Sequence, residues 1–136
     1  MRPEGRDAVL KVVAETLKSL DRPAVGIVYG SAARDQLADH SDIDVAVGVG
    51  ERLDFEARSF LYRRLCDALH REVDLIDLES LEGYLWEPLW DEGKFVLWDH
   101  NLVVKYAGKA QAFHEDVKPA WLAMVDHRLE KAFGGV

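Results

Sequence analysis

Two aspartates separated by one residue are the first feature with a chemical meaning. Asp42 and Asp44 belong to a stretch, Asp42 to Val47, that alternates acidic and apolar residues before a glycine-containing turn. This alternation predicts a β-strand, on which both carboxylates leave the same face with Cα atoms ~7 Å apart. Such oxygen ligands favour Mg or Mn, and the sequence offers no clustered Cys and His set for zinc.

A third acid is predicted to join them from the next strand, Glu72 to Leu78. Asp74 and Asp77 differ by an odd number of positions, so their side chains face opposite sides of a sheet. Asp74 lies inside the strand, whereas Asp77 lies near its end, where a carboxylate often caps the following turn. We therefore expect Asp42, Asp44 and Asp74 to be the metal-binding acids.

A predicted turn supplies a place for phosphate. The apolar, β-branched run from Ala24 to Tyr29 reads as a buried strand that ends at Gly30 and Ser31 and opens a short helix from Ala32 to Ala38. Free backbone N–H groups at such a turn bind anions, glycine allows close approach, and a serine hydroxyl can donate to a phosphate oxygen. Arg34 adds a charge-assisted contact. Gly30, Ser31 and Arg34 are the predicted nucleotide-binding residues.

Each of these features has an ordinary structural alternative. Gly30 and Ser31 alone fit a common strand-to-helix turn, the acids at 42 and 44 fit a solvated strand face, and Arg34 fits a surface helix residue. The combination of turn, spacing and third acid favours a site. The five histidines lack ligand spacing, so we expect them on the surface or in packing contacts.

The remaining elements indicate an α/β (α+β) fold with a sheet of about four strands flanked by helices. They are a first helix from Ala8 to Leu20, a helix capped by Asp54 and running to about Leu69, a short helix capped by Ser80 and running to about Trp90, a fourth strand from Lys94 to Trp98, and C-terminal helices from about Leu102 to Phe133, divided at Pro119. The length of 136 residues fits a single domain, 1–136, in which about 100–136 form a helical extension.

Composition limits the partners and the compartment. A formal net charge of -8 opposes direct nucleic-acid binding, because the lysines are scattered along the chain. No apolar run approaches the ~20 residues that span a bilayer, and no signal region opens the chain, so a cytoplasmic protein without membrane contact is expected. The single cysteine, Cys66, reads as an inert core thiol.

The order of these motifs resembles the minimal nucleotidyltransferase (MNT) family of the DNA polymerase β-like superfamily. The resemblance lies in Gly30-Ser31, ten intervening residues, and then Asp42-Ile43-Asp44, followed by Val73-Asp74 on a later strand. It covers roughly residues 8–98. Asp35 stands where many members carry glycine.

The resemblance implies a nucleotidyltransferase fold and the transfer of AMP from ATP to a hydroxyl group, with two Mg ions, or Mn in their place. Gly30 and Ser31 would hold the β- and γ-phosphates, and Asp42 and Asp44 would bind the metals. Asp74 would complete the second metal site and help to deprotonate the attacking hydroxyl.

The resemblance also implies a partner, because many family members look like antitoxins that adenylylate a tyrosine of a HEPN-domain ribonuclease toxin. Two alternatives stay open. The chain could modify a small hydroxylated molecule, such as an aminoglycoside, although such enzymes usually carry a larger second domain. It could also be a non-catalytic antitoxin that neutralises its partner by binding.

Overall fold

The computed structural model describes residues 2–81 and 86–113 of the chain. The helices in this part are α1 (Arg6–Lys18), α2 (Gly30–Ala33), α3 (Phe55–Leu69), α4 (Trp86–Glu92) and α5 (His100–Phe113), with one turn of 3-10 helix at Leu78–Ser80. The strands are β1 (Val25–Tyr29), β2 (Ile43–Gly48), β3 (Val73–Asp77) and β4 (Lys94–Leu97). The predicted division at Pro119 and the final helix lie outside the described residues.

The four strands form one mixed sheet in the order β3-β2-β1-β4. β1 runs antiparallel to both β2 and β4, whereas β2 and β3 are parallel. A parallel pair requires a long crossover, and α3 supplies it between β2 and β3. Among the described strands, β3 therefore lies at an edge of the sheet, with only β2 beside it.

Alternation along the strands divides the sheet into two apolar faces. On one face, Val28, Val45 and Leu75 pack against α1 and α3. α3 begins at Asp54, whose carboxylate accepts a hydrogen bond from the Ala57 N–H at 2.7 Å. The predicted cap is confirmed, and its helix buries Leu61, Leu65 and Leu69.

The opposite face is covered by α4 and α5. Ile27 and Ala46 lie beneath the fully buried aromatic side chains Trp86, Trp90 and Tyr106. The rings of Trp86 and Tyr106 stack with centroids 5.8 Å apart, which ties the two helices together. The polar residues described below lie on this same face, at the end of β1.

Glu79, which follows β3 in the 3-10 turn, connects this end of the strand to α5 through ion pairs. Its carboxylate lies 2.8 Å from Lys105 Nζ and 2.7 Å from Lys109 Nζ, and it also accepts a hydrogen bond from the Tyr106 hydroxyl at 3.1 Å. Burial alone would raise the pKa of Glu79, but these three contacts outweigh it and lower the pKa to about 2. The two lysines thus serve an internal ion cluster.

Several predicted boundaries differ from the structure, and three of the differences affect residues with a predicted role. α2 has only four residues, because Asp35 takes a left-handed backbone with φ 58° and ends it. β2 begins at Ile43, so Asp42 precedes the strand. Ser80 belongs to the 3-10 turn, where its hydroxyl faces Arg52 at 3.4 Å, and it does not cap α4.

Cys66 is partly buried and packs against the core from α3, close to the predicted position. No helix among residues 2–81 and 86–113 has the length and apolar character that crossing a membrane requires.

Candidate active site

Asp44 and Asp74 lie side by side on neighbouring strands. They are direct partners in the parallel register of β2 and β3, and Tyr29 at the end of β1 is paired with Asp44 from the other side. All three side chains leave the face of the sheet that α4 and α5 cover farther along. The expected convergence of the two strand acids on one face is observed.

Asp42 reaches the same end of the sheet from the loop before β2. Arg71, just before β3, donates hydrogen bonds to this loop, to the carbonyl oxygens of Ala38 at 2.7 Å and Ser41 at 3.0 Å. The Ser41 hydroxyl closes the loop by accepting from the Ala38 N–H at 2.9 Å. The backbone that carries Asp42 is therefore held by hydrogen bonds, while its side chain is exposed.

The three acids affect one another electrostatically. Burial raises the pKa of the half-buried Asp44, the charges of Asp74 and then Asp42 raise it further, and Arg34 acts in the opposite direction. Within the described part of the chain, no three Asp, Glu, His or Cys side chains are gathered tightly enough to hold one ion. The acids share a face without enclosing a common point.

Oxygen donors on a shared face nevertheless suit a hard divalent cation such as Mg or Mn. Positive charge between Asp44 and Asp74 would offset the repulsion that raises the pKa of Asp44. The donor set therefore fits the metal that the sequence predicts.

Gly30 is fitted tightly against Asp44. Its φ of 67° lies in the left-handed region, and a Cβ at this position would collide with the Oδ2 atom of Asp44. Any other residue would have to adopt a strained backbone and displace the carboxylate. The sequence predicted Gly30 as a phosphate-binding residue, and the structure adds that it makes room for an acid.

Ser31 follows at the start of α2 and is half-buried. No hydrogen bond of the described residues engages its hydroxyl, which is therefore available to a ligand. Asp35, which the sequence set beside this turn, has its carboxylate engaged elsewhere: Oδ1 accepts a hydrogen bond from the Arg6 N–H at 3.0 Å. That contact ties Asp35 to the first turn of α1.

Arg34 lies at the rim of the site and bridges two elements. Its Nη1 atom lies 3.1 Å from Glu92 Oε2 at the end of α4, and its Nε atom lies 3.2 Å from Gln36 Oε1. Its influence on the pKa of Asp44 places its positive charge near the acids. A guanidinium at this rim can bind a phosphate in place of the Glu92 carboxylate.

A cavity of about 190 Å³ opens between the acids and α4. Its lining combines Asp44, Gly30 and Glu92 with apolar side chains that include Ile76 and Leu89. Tyr29 also lines it, and the buried Tyr29 hydroxyl has no hydrogen-bond partner among the described residues. Burial raises the pKa of Tyr29, and the charges of Asp74 and Asp44 raise it further, so the phenol stays protonated at neutral pH.

Tyr29 and Glu92 were not predicted as site residues. Parity along β1 places Tyr29 on the face of Ile27, and its position directly before Gly30 was the available signal. Nothing local marks Glu92, which reaches the site only because α4 folds over the sheet.

Asp77 is separate from this site. Its side chain is only 5% exposed and accepts hydrogen bonds from the N–H groups of Leu53 at 2.8 Å and Glu79 at 3.0 Å. The second bond caps the 3-10 turn. The prediction that Asp77 is a cap facing away from Asp74 agrees with this geometry.

Comparison with known proteins gives consistent matches. The chain is 31% identical to the protein adenylyltransferase MntA of Shewanella oneidensis over 126 residues, which cover 93% of this chain and 88% of that protein. The fold resembles a chain in a crystal structure of a toxin-antitoxin with AMP-PNP, with TM-score 0.67 and 25% identity, covering 88% of this chain and 98% of that one.

A further solved structure contains a tri-AMPylated Shewanella oneidensis HEPN toxin in complex with an MNT antitoxin. Its matching chain has TM-score 0.63 and 23% identity, with coverage of 91% of this chain and 98% of that chain. At this identity the likeness concerns the fold. The sequence profile of the family described as polymerase beta, nucleotidyltransferase matches residues 11–100, a segment that contains Gly30, Ser31 and the three acids. The chain therefore belongs to the polymerase beta nucleotidyltransferase family.

Proposed function

We propose that this protein transfers AMP from ATP to a hydroxyl group with the aid of Mg, and that its acceptor is a tyrosine of a HEPN-domain toxin. In this proposal the chain is an antitoxin that silences its partner by covalent modification. The observation that carries the proposal is the pairing of Asp44 with Asp74 on one face, directly beside the Gly30 turn.

In this proposal each site residue binds a different part of the triphosphate or its metal ions. Ser31 and the backbone at Gly30 hold the β- and γ-phosphates, with Arg34 at their outer side. Asp42 and Asp44 would hold the divalent ions, and Asp74 would complete the second ion site. Two ions, when bound, supply positive charge to the attacking and leaving oxygens.

The transfer exchanges one bond to phosphorus for another. The acceptor oxygen forms a bond to the α-phosphorus, and the bond from that phosphorus to the bridging oxygen breaks. Pyrophosphate leaves with the electron pair, and Asp74 accepts the proton of the attacking hydroxyl. Positioning of the proton acceptor contributes about 10² to 10⁴ in rate.

The proposed acceptor is supported by kinship. The 31% identity to MntA extends over most of both chains, and MntA is named a protein adenylyltransferase. The structure with the tri-AMPylated HEPN toxin contains an MNT antitoxin of the same fold. A protein hydroxyl is thus favoured over a small hydroxylated molecule.

The direct test incubates the protein with Mg, a purified HEPN-domain partner and ATP labelled on either the α- or the γ-phosphate. We expect label from the α-phosphate to appear on the partner and label from the γ-phosphate to remain in pyrophosphate. Asp44→Ala should abolish transfer, whereas the matched control Asp67→Asn, an exposed acid of α3, should retain it.

Other outcomes point to other functions. Label from the α-phosphate on an aminoglycoside but not on the partner would indicate a small-molecule nucleotidyltransferase. Tight binding of the partner without any label, unchanged by Asp44→Ala, would indicate a non-catalytic antitoxin. Either result would overturn the proposal.

A further inference from the structure

An open groove lies along the edge of β3, between this strand and α3. It has a volume of about 680 Å³ and includes Asp74 in its lining. Its remaining lining includes Phe55, Arg58, Tyr62 and Arg63. This volume is large enough for several side chains, and its lining includes the residue proposed to receive the acceptor proton.

The groove carries positive charge on an acidic protein. Two of its side chains are arginines, although the chain has a formal net charge of -8. Neither Arg58 nor Arg63 forms an ion pair with any residue in the described ranges. Beside the groove, Glu72 accepts a hydrogen bond from the Tyr62 hydroxyl at 2.6 Å. Neither guanidinium group is therefore ion-paired within the described residues.

The groove also exposes apolar surface. Phe55 at the start of α3 is 83% exposed, the highest exposure among the large apolar side chains of the described chain. An aromatic ring at this exposure offers contact area to a polypeptide. A small solute would leave most of such a surface wet.

Arg58 has an ordinary structural role as well. It donates a hydrogen bond to the Leu75 carbonyl oxygen at 2.6 Å and so covers part of the free strand edge, which protects a sheet against unwanted pairing. That contact uses one nitrogen of the guanidinium. Arg63 has no such role, and it is the better reporter of what binds in the groove.

We propose that this groove binds an extended, acidic segment of the acceptor polypeptide and directs its hydroxyl towards Asp74. The inference rests on the proposed function for the identity of the reaction, while the binding itself requires no turnover. Carboxylates of the segment pair with Arg58 and Arg63, and an apolar residue contacts Phe55. The groove thereby selects the hydroxyl that is modified.

The test measures binding of two short synthetic peptides, in which one tyrosine is flanked by glutamates or by lysines, to the full chain with Mg and a non-hydrolysable ATP analogue. Fluorescence anisotropy should show tighter binding of the acidic peptide, and added salt should weaken it. Arg63→Glu should weaken the acidic peptide by about fivefold or more, the scale of one exposed ion pair.

Arg64→Glu is the matched control, because Arg64 is the next residue on α3 and lies over the Phe60 ring, 5.5 Å from its centroid, away from the groove. It should leave binding of the acidic peptide within about twofold of wild type. Equal effects of the two substitutions, equal binding of both peptides, or no binding of the acidic peptide would each overturn the groove assignment. If the labelled-ATP assay shows no AMP transfer but the acidic peptide still binds, the proposed function is rejected and the groove assignment stands.

Discussion

Gly30 and Asp44 compete for the same space at the end of β1. A Cβ at position 30 would collide with the Asp44 carboxylate, and the φ of 67° disfavours any side chain. We expect Gly30→Ala to lower the free energy of unfolding by about 1–2 kcal/mol from backbone strain. It should also abolish AMP transfer, because the Asp44 carboxylate must move.

Gly5→Ala is the control that introduces backbone strain without displacing a carboxylate. Gly5 has φ 81° and ψ 157°, a conformation that only glycine adopts readily, and no atom of the described residues lies within 4 Å of a Cβ built there. This control should lose about 1–3 kcal/mol while keeping its activity. Urea denaturation and the labelled-ATP assay measure both quantities, and equal loss of activity in the two variants would show that Gly30 acts only through stability.

Without metal, the ionised Asp44 side chain is predicted to lower the free energy of unfolding. Its pKa is raised, so the folded state binds the proton more tightly than the unfolded state, and ionisation at neutral pH weakens folding. Asp44→Asn should therefore raise the melting temperature at pH 7 without metal. The gain should shrink as the pH falls through the pKa of the folded protein, where wild-type Asp44 becomes protonated.

Magnesium should reverse this order. Added Mg should raise the melting temperature of wild type and leave Asp44→Asn almost unchanged, because ligands stabilise the state that binds them. Thermal denaturation with and without Mg measures the effect. A variant less stable than wild type without metal would contradict the account in which burial and the neighbouring acids disfavour the ionised Asp44.

Glu79 is predicted to stabilise the packing of α5. Glu79→Gln should lower the free energy of unfolding by about 1–3 kcal/mol at pH 7, because hydrogen bonds from charged lysines are replaced by weaker ones. The pKa of Glu79 is lowered to about 2, so this stability is present above the ordinary carboxyl pKa of 4.5 and disappears as the pH falls towards 2.

Glu51→Gln provides the comparison for an exposed pair. Glu51 lies 2.9 Å from Arg22, and its side chain is 68% exposed. Its loss should change the free energy of unfolding by no more than about 1 kcal/mol. Urea denaturation of both variants between pH 7 and pH 3 measures the difference, and similar effects would show that burial of Glu79 contributes nothing.

Local patterns were sufficient for the strands and for the faces of their acids. Alternation around Asp44 and the odd separation of Asp74 from Asp77 depend only on the period of a strand, which tertiary contacts do not change. The Asp54 cap was equally predictable, since its hydrogen bond is made within one helical turn. These features separate the two faces within each strand, whereas the pairing of Asp44 with Asp74 depends on the register of β2 and β3.

Other features depend on contacts between distant segments. Glu92 reaches Arg34 across 58 positions, and Lys105 reaches Glu79 across 26, so no local pattern could pair them. α2 is shorter than predicted because Asp35 adopts a left-handed backbone held by a bond to Arg6. The strand order, in which β1 lies beside β2 and β3 lies at the edge, is likewise a property of the packed chain.

Arg34 should contribute to ATP binding and little to stability. Its ion pair with Glu92 is exposed on both sides, with side-chain exposures of 45% and 53%, so its loss should change the free energy of unfolding by no more than about 1 kcal/mol. Arg34→Met should raise the KM for ATP about tenfold, the effect of one charge-assisted hydrogen bond. Glu92→Gln should lower the KM, because it releases Arg34 and removes a negative charge. A higher KM in both variants would show that the ion pair itself, and not the free guanidinium, is required.

Asp74 and Asp77 provide the sharpest separation of function from structure, because they share a strand and face opposite sides. Asp77→Ala leaves the buried N–H group of Leu53 and the partly buried N–H group of Glu79 without their acceptor, so it should lower the free energy of unfolding by about 2–4 kcal/mol. Asp74→Ala removes an exposed side chain and should change stability by about 0.5 kcal/mol or less.

Activity should follow the opposite order. Asp74→Ala should reduce AMP transfer by about 10² to 10⁴ or more, since it removes both a metal ligand and the proposed proton acceptor. Asp77→Ala, assayed at a temperature where urea denaturation shows it folded, should stay within about tenfold of wild type, because its carboxylate touches only backbone N–H groups. A folded but inactive Asp77→Ala together with an active Asp74→Ala would exchange the roles of the two acids and reject the site.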